Sequence, residues 1–148
     1  MAKIISCNIS DKKGEIKHPV DQVKLIENFG IEGEAHAQFG SIRQVSLLGK
    51  ESIKKMEDLG VKGLCSGKFA ENFTTEGIEL YSLAIGTRLK IGDTIHEITQ
   101  IGKKCHAEDG CEIARTVGKC IMPKEGIFTK VIRGGIVKKG DEITIISW

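Results

Sequence analysis

The chain has 148 residues, 40% hydrophobic and 28% charged, the make-up of one soluble globular domain that buries roughly 68–70% of its unfolded surface without staples. Its 22 basic and 20 acidic side chains are interspersed, and five Phe, one Trp and one Tyr make up its aromatics. This excludes the basic stripe and stacking platforms of a nucleic-acid binder, and no apolar run is long enough to span a bilayer.

The opening "MAKIISCNIS" lacks the apolar region of a secretory signal, so the expected compartment is the cytoplasm, with no membrane partner. Cytosolic thiols stay reduced, and five cysteines is an odd number, so a disulfide framework is not expected.

In chain order, "KIISCNIS" is β-prone and reads as a first strand, followed by the polar connector "DKKGEIKHP". "VDQVKLIENFGIEGEAHAQFGS" fits a short strand and then a glycine-punctuated loop bearing Glu34 and His36. "RQVSLL" is a compact apolar strand. "GKESIKKMEDLG" has helical periodicity, with Ile53, Met56 and Leu59 on one face and Gly60 where a C′ glycine would stop it. Beyond it the text turns to β. "ENFTT" and "IELYSL" flank Gly77, "TRLKIG" and "TIHEITQIG" flank Gly92-Asp93, and "FTKVIRGG" and "DEITIISW" flank a Gly-rich, Lys-rich turn. The Gly-Asp pair recurs at Gly140-Asp141 as repeated turn chemistry. "CEIARTVG" is a candidate short helix. The expected fold is mainly β (α+β): one compact, β-barrel-like domain over residues 1–148 with one or two peripheral helices.

The candidate chemistry centres on "GKKCHAEDGCEI". Lys103 and Lys104 precede Cys105, and His106 follows it, after a strand-like run. Nearby positive charge favours the thiolate, the form that attacks or binds metal, and a loop at a strand end suits an exposed reactive group. The alternative is a cysteine that simply packs, for which a charged loop is a poor setting. A structural zinc built on Cys105, His106, Cys111 and Cys120 lacks the usual paired spacing. Cys105 with Cys111 as a redox pair stays open. Cys7 reads as core, and "GLCSGK" around Cys65 fails as a phosphate loop because Phe69 stands where Ser or Thr must bind magnesium. His18 and His96 read as structural or surface residues. His36 is presented beside Glu34. Arg43, at the mouth of a strand, offers a donor fork for an anionic oxygen group, against the alternative of a plain exposed base. Asn72, Thr74 and Thr75 are neutral hydrogen-bonding groups that suit a polar heterocycle or cap backbone.

"GIEGEAHA", "RQVSLLGKES", "GKFAENFTTEGIEL", "IGTRLKIGDTIHEITQIGKKCH", "MPKEGIFTKVIRGG" and "VKKGDEI", in this order, resemble the MOSC domain, the module named for the C-terminus of molybdenum cofactor sulfurases. The resemblance is to its small stand-alone bacterial type and runs from about Ile31 to Ile143. It implies a barrel-like β fold and one important cysteine, here Cys105, with Lys103 in the matching "GKxC". That sulfur would carry a persulfide or bind the molybdenum of a molybdopterin; both need a soft, deprotonated sulfur. It further implies a cofactor pocket lined by the "RQVSL" segment (Arg43, Gln44, Ser46) and the "ENxTTEG" segment (Asn72, Thr74, Thr75). Two positions depart from the pattern: Ile42 replaces a frequent histidine, and Lys104 replaces the proline that related reductases place before the cysteine.

Three readings follow. The chain is a molybdenum cofactor-binding or sulfur-carrier protein; or a cofactor-dependent reductase of N-hydroxylated compounds; or a non-catalytic delivery or regulatory module. It has no pyridoxal-phosphate, flavin or iron–sulfur signature, so a cysteine desulfurase, molybdoenzyme or electron-donor protein is the expected partner.

Overall fold

The computed structural model describes residues 2–10, 17–35, 37–58, 71–102 and 126–147. Eleven strands are present among them: β1 Lys3–Ile9, β2 His18–Val20, β3 Gln22–Ile26, β4 Gly30–Ile31, β5 Val45–Gly49, β6 Phe73–Glu76, β7 Arg88–Ile91, β8 Thr94–Ile101, β9 Ile127–Arg133, β10 Gly135–Lys138 and β11 Ile143–Ser147. One α-helix, α1, spans Lys50–Asp58, and a 3-10 turn spans Leu80–Ser82. The fold is mainly β, as the sequence predicts. The helix falls where the periodicity puts it, with Ile53 buried. The proposed stop at Gly60 and the candidate helix in "CEIARTVG" lie outside the described residues.

Eight strands form one sheet in the order β11-β7-β8-β9-β5-β6-β1-β2, and β10-β3-β4 form a second. The barrel-like expectation is corrected in one respect: no strand ladder closes the large sheet. Its two ends meet through the single bridge Lys3↔Glu142. Backbone bonds from Ile4 N to Asp141 O (2.8 Å), Gly140 N to Ile4 O (2.7 Å) and Ile143 N to Ala2 O (2.9 Å) support that seam. β1 cannot pair fully with β11 because the later half of its free edge is taken by β2, at Cys7↔Val20 through Ile9↔His18. Pro19 sits in β2, an edge strand, where a missing N–H costs least.

Three further expectations change. The Gly-rich, Lys-rich turn before the last strand contains β10, which pairs with β3 from Gly135↔Leu25 to Lys138↔Gln22. The ambiguous stretch from Val20 holds β3 and β4 rather than one strand, folded back as Leu25↔Ile31. "IELYSL" is β-rich in composition but forms the 3-10 turn; Leu80 is buried and Ser82 Oγ donates to Glu79 O at 2.9 Å, a local bond that competes with a ladder.

The repeated Gly-Asp pairs do different work. Gly92-Asp93 is the two-residue loop of the β7–β8 hairpin, with Ile91↔Thr94 closing it and Gly92 at φ 55°. Gly140-Asp141 instead passes the chain from the small sheet to the large one. The two turns pack together, since a Cβ on Gly92 would lie 2.6 Å from Asp141 Oδ2.

The core sits on one face of the large sheet. Ile4, Cys7, Leu47, Phe73, Ile127 and Val131 are buried there, with Val23, Leu25 and Val137 of the second sheet packed onto them. His96 is also fully buried, held by Thr94 Oγ1 at 2.9 Å and Thr129 Oγ1 at 3.3 Å, and burial pulls its pKa down to about 3.

Candidate functional site

Strand alternation fixes what lies on the opposite face. With Leu47↔Phe73 and Cys7↔Phe73 turned to the core, their neighbours Ser46, Asn72 and Asn8 turn away from it. Ser46 is paired with Phe128, and Phe128 with Gln100. One row of side chains therefore crosses five strands: Asn8, Asn72, Ser46, Phe128 and Gln100.

The first half of that row is a buried polar network. Asn72 uses all its side-chain capacity: Nδ2 donates to Asn8 O (3.1 Å) and Glu34 Oε2 (3.2 Å), and Oδ1 accepts from Ser46 N (3.0 Å) and Ser46 Oγ (3.2 Å). Glu34 also accepts from Ser10 N at 3.0 Å and from Lys17 Nζ at 2.8 Å, with the Lys17 and Glu34 side chains 3% and 0% exposed. Asn8 Nδ2 donates to Thr74 Oγ1 (3.2 Å), which donates to Glu71 Oε2 (2.8 Å). A buried ion pair is tolerated only when its remaining polar atoms are bonded, and here backbone and amide groups do that.

The second half is open. Arg43 is exposed, its Nε donates to Gln100 Oε1 at 2.9 Å, and its guanidinium lies 5.4 Å from the centre of the Phe128 ring. Among the described residues its terminal nitrogens have no partner, so they form a pre-oriented fork for an anionic oxygen group. Gln100 Nε2 donates to Gly102 O at 2.7 Å, and Gly102 N donates to Gly126 O at 2.6 Å. Gly102, the residue after β8, is thus bonded to the same Gln100 amide that holds Arg43. Phe39 and Ile42, 68% and 57% exposed, precede Arg43 in the same loop.

The structure brings Asn72, Ser46 and Thr74 together, but turned inward on one another. Thr75 points to the core face with Phe73, and Gln44 is a buried strut, accepting from Val131 N at 2.9 Å and donating to Asn28 Oδ1 at 3.2 Å. Cys105, Lys103 and His36 lie outside the described residues. The described cysteine, Cys7, is a core thiol whose pKa is pushed up to about 12 by burial and by the negative charge of Asp141. Among the described residues no group of three His, Cys, Asp or Glu is placed to hold a metal, and no helix is long and apolar enough to cross a membrane. Sequence reasoning missed Lys17, Asn8 and Gln100. Glu34 is legible in the sequence only as the neighbour of His36 in a glycine-punctuated loop, not as the partner of Lys17.

These features define a mainly β domain with a buried polar spine that ends at an exposed arginine and a strand-end loop. The profile of the MOSC domain matches residues 34–144, and the chain belongs to that family. Among solved structures it resembles the YuaD protein from Bacillus subtilis, with 21% identity and a TM-score of 0.81 over 99% of this chain and 96% of that one. It also resembles YiiM from Geobacillus stearothermophilus (18%, TM-score 0.70, 99% and 76% of the two chains) and YiiM from Escherichia coli (18%, 0.64, 99% and 69%). Among curated proteins none matches.

Proposed function

We propose that this MOSC protein binds molybdenum cofactor or carries sulfur for it, with the Cys105 thiolate as molybdenum ligand or persulfide carrier. Membership of the family supports the link to the cofactor. The observation that carries the reading to particular residues is the Arg43–Gln100–Gly102 chain of hydrogen bonds. Cys105 is three residues beyond Gly102, a reach of at most about 11 Å, so an anion held by Arg43 and a metal held by sulfur can belong to one ligand.

The residues present fit such a group. Arg43 offers a fork for its anionic oxygens, Phe128 a flat apolar support for that arginine, and Cys105 the soft donor that molybdenum or a sulfane sulfur requires. Lys103 and Lys104 add positive charge of the sign that favours a thiolate. Asn72, Ser46 and Thr74 serve from behind, keeping β5 and β6 in register. When bound, the cofactor would supply the redox-active metal or accept the sulfur; the chain's part is to bind, orient and hold the thiolate.

The test is expression in a host that makes the cofactor, then assay of released, oxidised pterin by fluorescence and of molybdenum by elemental analysis. Wild type should load, Cys105→Ser should lose molybdenum or the persulfide mass increment, and Arg43→Ala should load less than Arg43→Lys. Equal loading of Cys105→Ser and wild type, with no persulfide on either, refutes the proposal.

A further inference from the structure

β5 and β6 run parallel, with Leu47↔Phe73, Leu48↔Thr74 and Gly49↔Thr75 in register. Beyond their carboxyl ends a cleft of about 340 Å3 opens between α1 and the 3-10 turn, within the size range of small-ligand sites. Its lining includes Gly49 and Gly77, which leave backbone reachable, and none of the side chains of the polar row described above.

Two opposite charges are fixed at this cleft. Glu51 and Lys55 stand one turn apart on α1, the spacing at which an acid and a base ordinarily face each other. Here they have other partners. Glu51 Oε2 accepts from Gly77 N at 2.9 Å. Lys55 Nζ lies 3.4 Å from the Tyr81 hydroxyl and 5.4 Å from the centre of its ring. Ile78 and Leu80 supply apolar wall. A simple anion in this space would meet the carboxylates of Glu51 and Glu79, and a simple cation would meet Lys55. A molecule carrying both charges meets neither conflict.

We propose that this cleft binds a small zwitterion, an α-amino acid with an apolar side chain. Its ammonium donates to the Glu51 carboxylate, its carboxylate accepts from Lys55 and the Tyr81 hydroxyl, and its side chain lies against Ile78 and Leu80. The inference does not depend on the cofactor reading, because every group it uses comes from α1 and the segment after β6.

The test is a titration of the nitrogen-15-labelled full chain, followed by amide shifts. The probes are L-leucine, 4-methylpentanoate and 3-methylbutylamine; the last two keep the apolar group with one charge each. L-Leucine should give saturable shifts at residues 49–55 and 77–82, with each single-charge probe roughly tenfold weaker or more. Lys55→Met and Glu51→Gln should each weaken L-leucine by a similar factor; Gln keeps an acceptor for Gly77 N–H, so the local backbone is retained. No saturable shift by roughly 10 mM, equal binding of a single-charge probe, or wild-type binding by both variants overturns the proposal.

Discussion

Replacing Lys17 by Met removes one member of an ion pair whose side chains are 3% and 0% exposed. The Glu34 carboxylate keeps its bonds from Ser10 N and Asn72 Nδ2 but loses the charge that offsets its desolvation. Breaking a buried pair from one side costs about 3–5 kcal/mol. In a domain of this size that corresponds to a fall in Tm on the order of 10 °C. Glu34→Gln should cost a comparable amount, because it leaves the Lys17 ammonium buried without its counter-charge. The double variant keeps an amide oxygen for Ser10 N–H and removes both charges of the pair, so its cost should fall short of the sum of the single costs by about 1–3 kcal/mol. Urea unfolding followed by far-ultraviolet circular dichroism gives all three values. Burial also predicts that the Lys17→Met deficit is nearly the same at low and high salt. Single-variant costs below about 1 kcal/mol, or strict additivity, would mean that the pair behaves as a surface contact and would refute the reasoning.

His96 makes stability depend on pH. Its folded pKa, about 3, lies below the unfolded value of 6.5, so the unfolded state takes up the proton first; stability is full above pH 6.5 and falls as pH drops toward 3, by about 3 kcal/mol at pH 4. His96→Gln should flatten that part of the urea-midpoint profile, and an unchanged slope would count against it. Cys7, with its pKa near 12, should resist alkylation by iodoacetamide at pH 8 in the folded chain while Cys105 is modified; peptide mass mapping decides, and early labelling of Cys7 contradicts its buried placement. Gly30→Ala should be the costlier of two glycine changes, since Gly30 has φ 127° and a Cβ there would lie 2.8 Å from Gln44 O. Gly33, with φ 85° and open space, should lose only about 1–2 kcal/mol. Equal thermal shifts would show that Gly30 is not clamped against the Arg43 segment.

The parts legible in the sequence are those where one periodicity dominates. "KESIKKMED" alternates at helical spacing, and "VSLL" is apolar except for Ser46, on a strand buried on both faces. β10 was illegible for the opposite reason: four residues with one buried side chain, Val137, carry almost no pattern and look like turn. The candidate site divides in the same way. Asn72 and Thr74 are legible as neutral hydrogen-bonding groups near a turn, and Ser46 through the family segment, but whether such a group faces a ligand or another strand depends on register, which a single chain segment does not contain. Lys17 looked like one more solvated lysine in a polar connector. Its burial follows from Glu34, seventeen positions away, and only the folded arrangement joins them.

That arrangement ties the core to the site. Leu47, Phe73 and Cys7 alternate with Ser46, Asn72 and Asn8 along the same three strands, so a one-residue slip would carry the apolar set outward and the polar set inward together. The buried Glu34–Lys17 pair adds a penalty to any such slip, because the slip would pull the two charges apart. Arg43 is exposed, yet its Nε is set by Gln100, and its ring support by Phe128, both members of the same row. The direction of an exposed guanidinium is therefore decided by the alternation that fills the core, which lets a surface group be held in place without being buried.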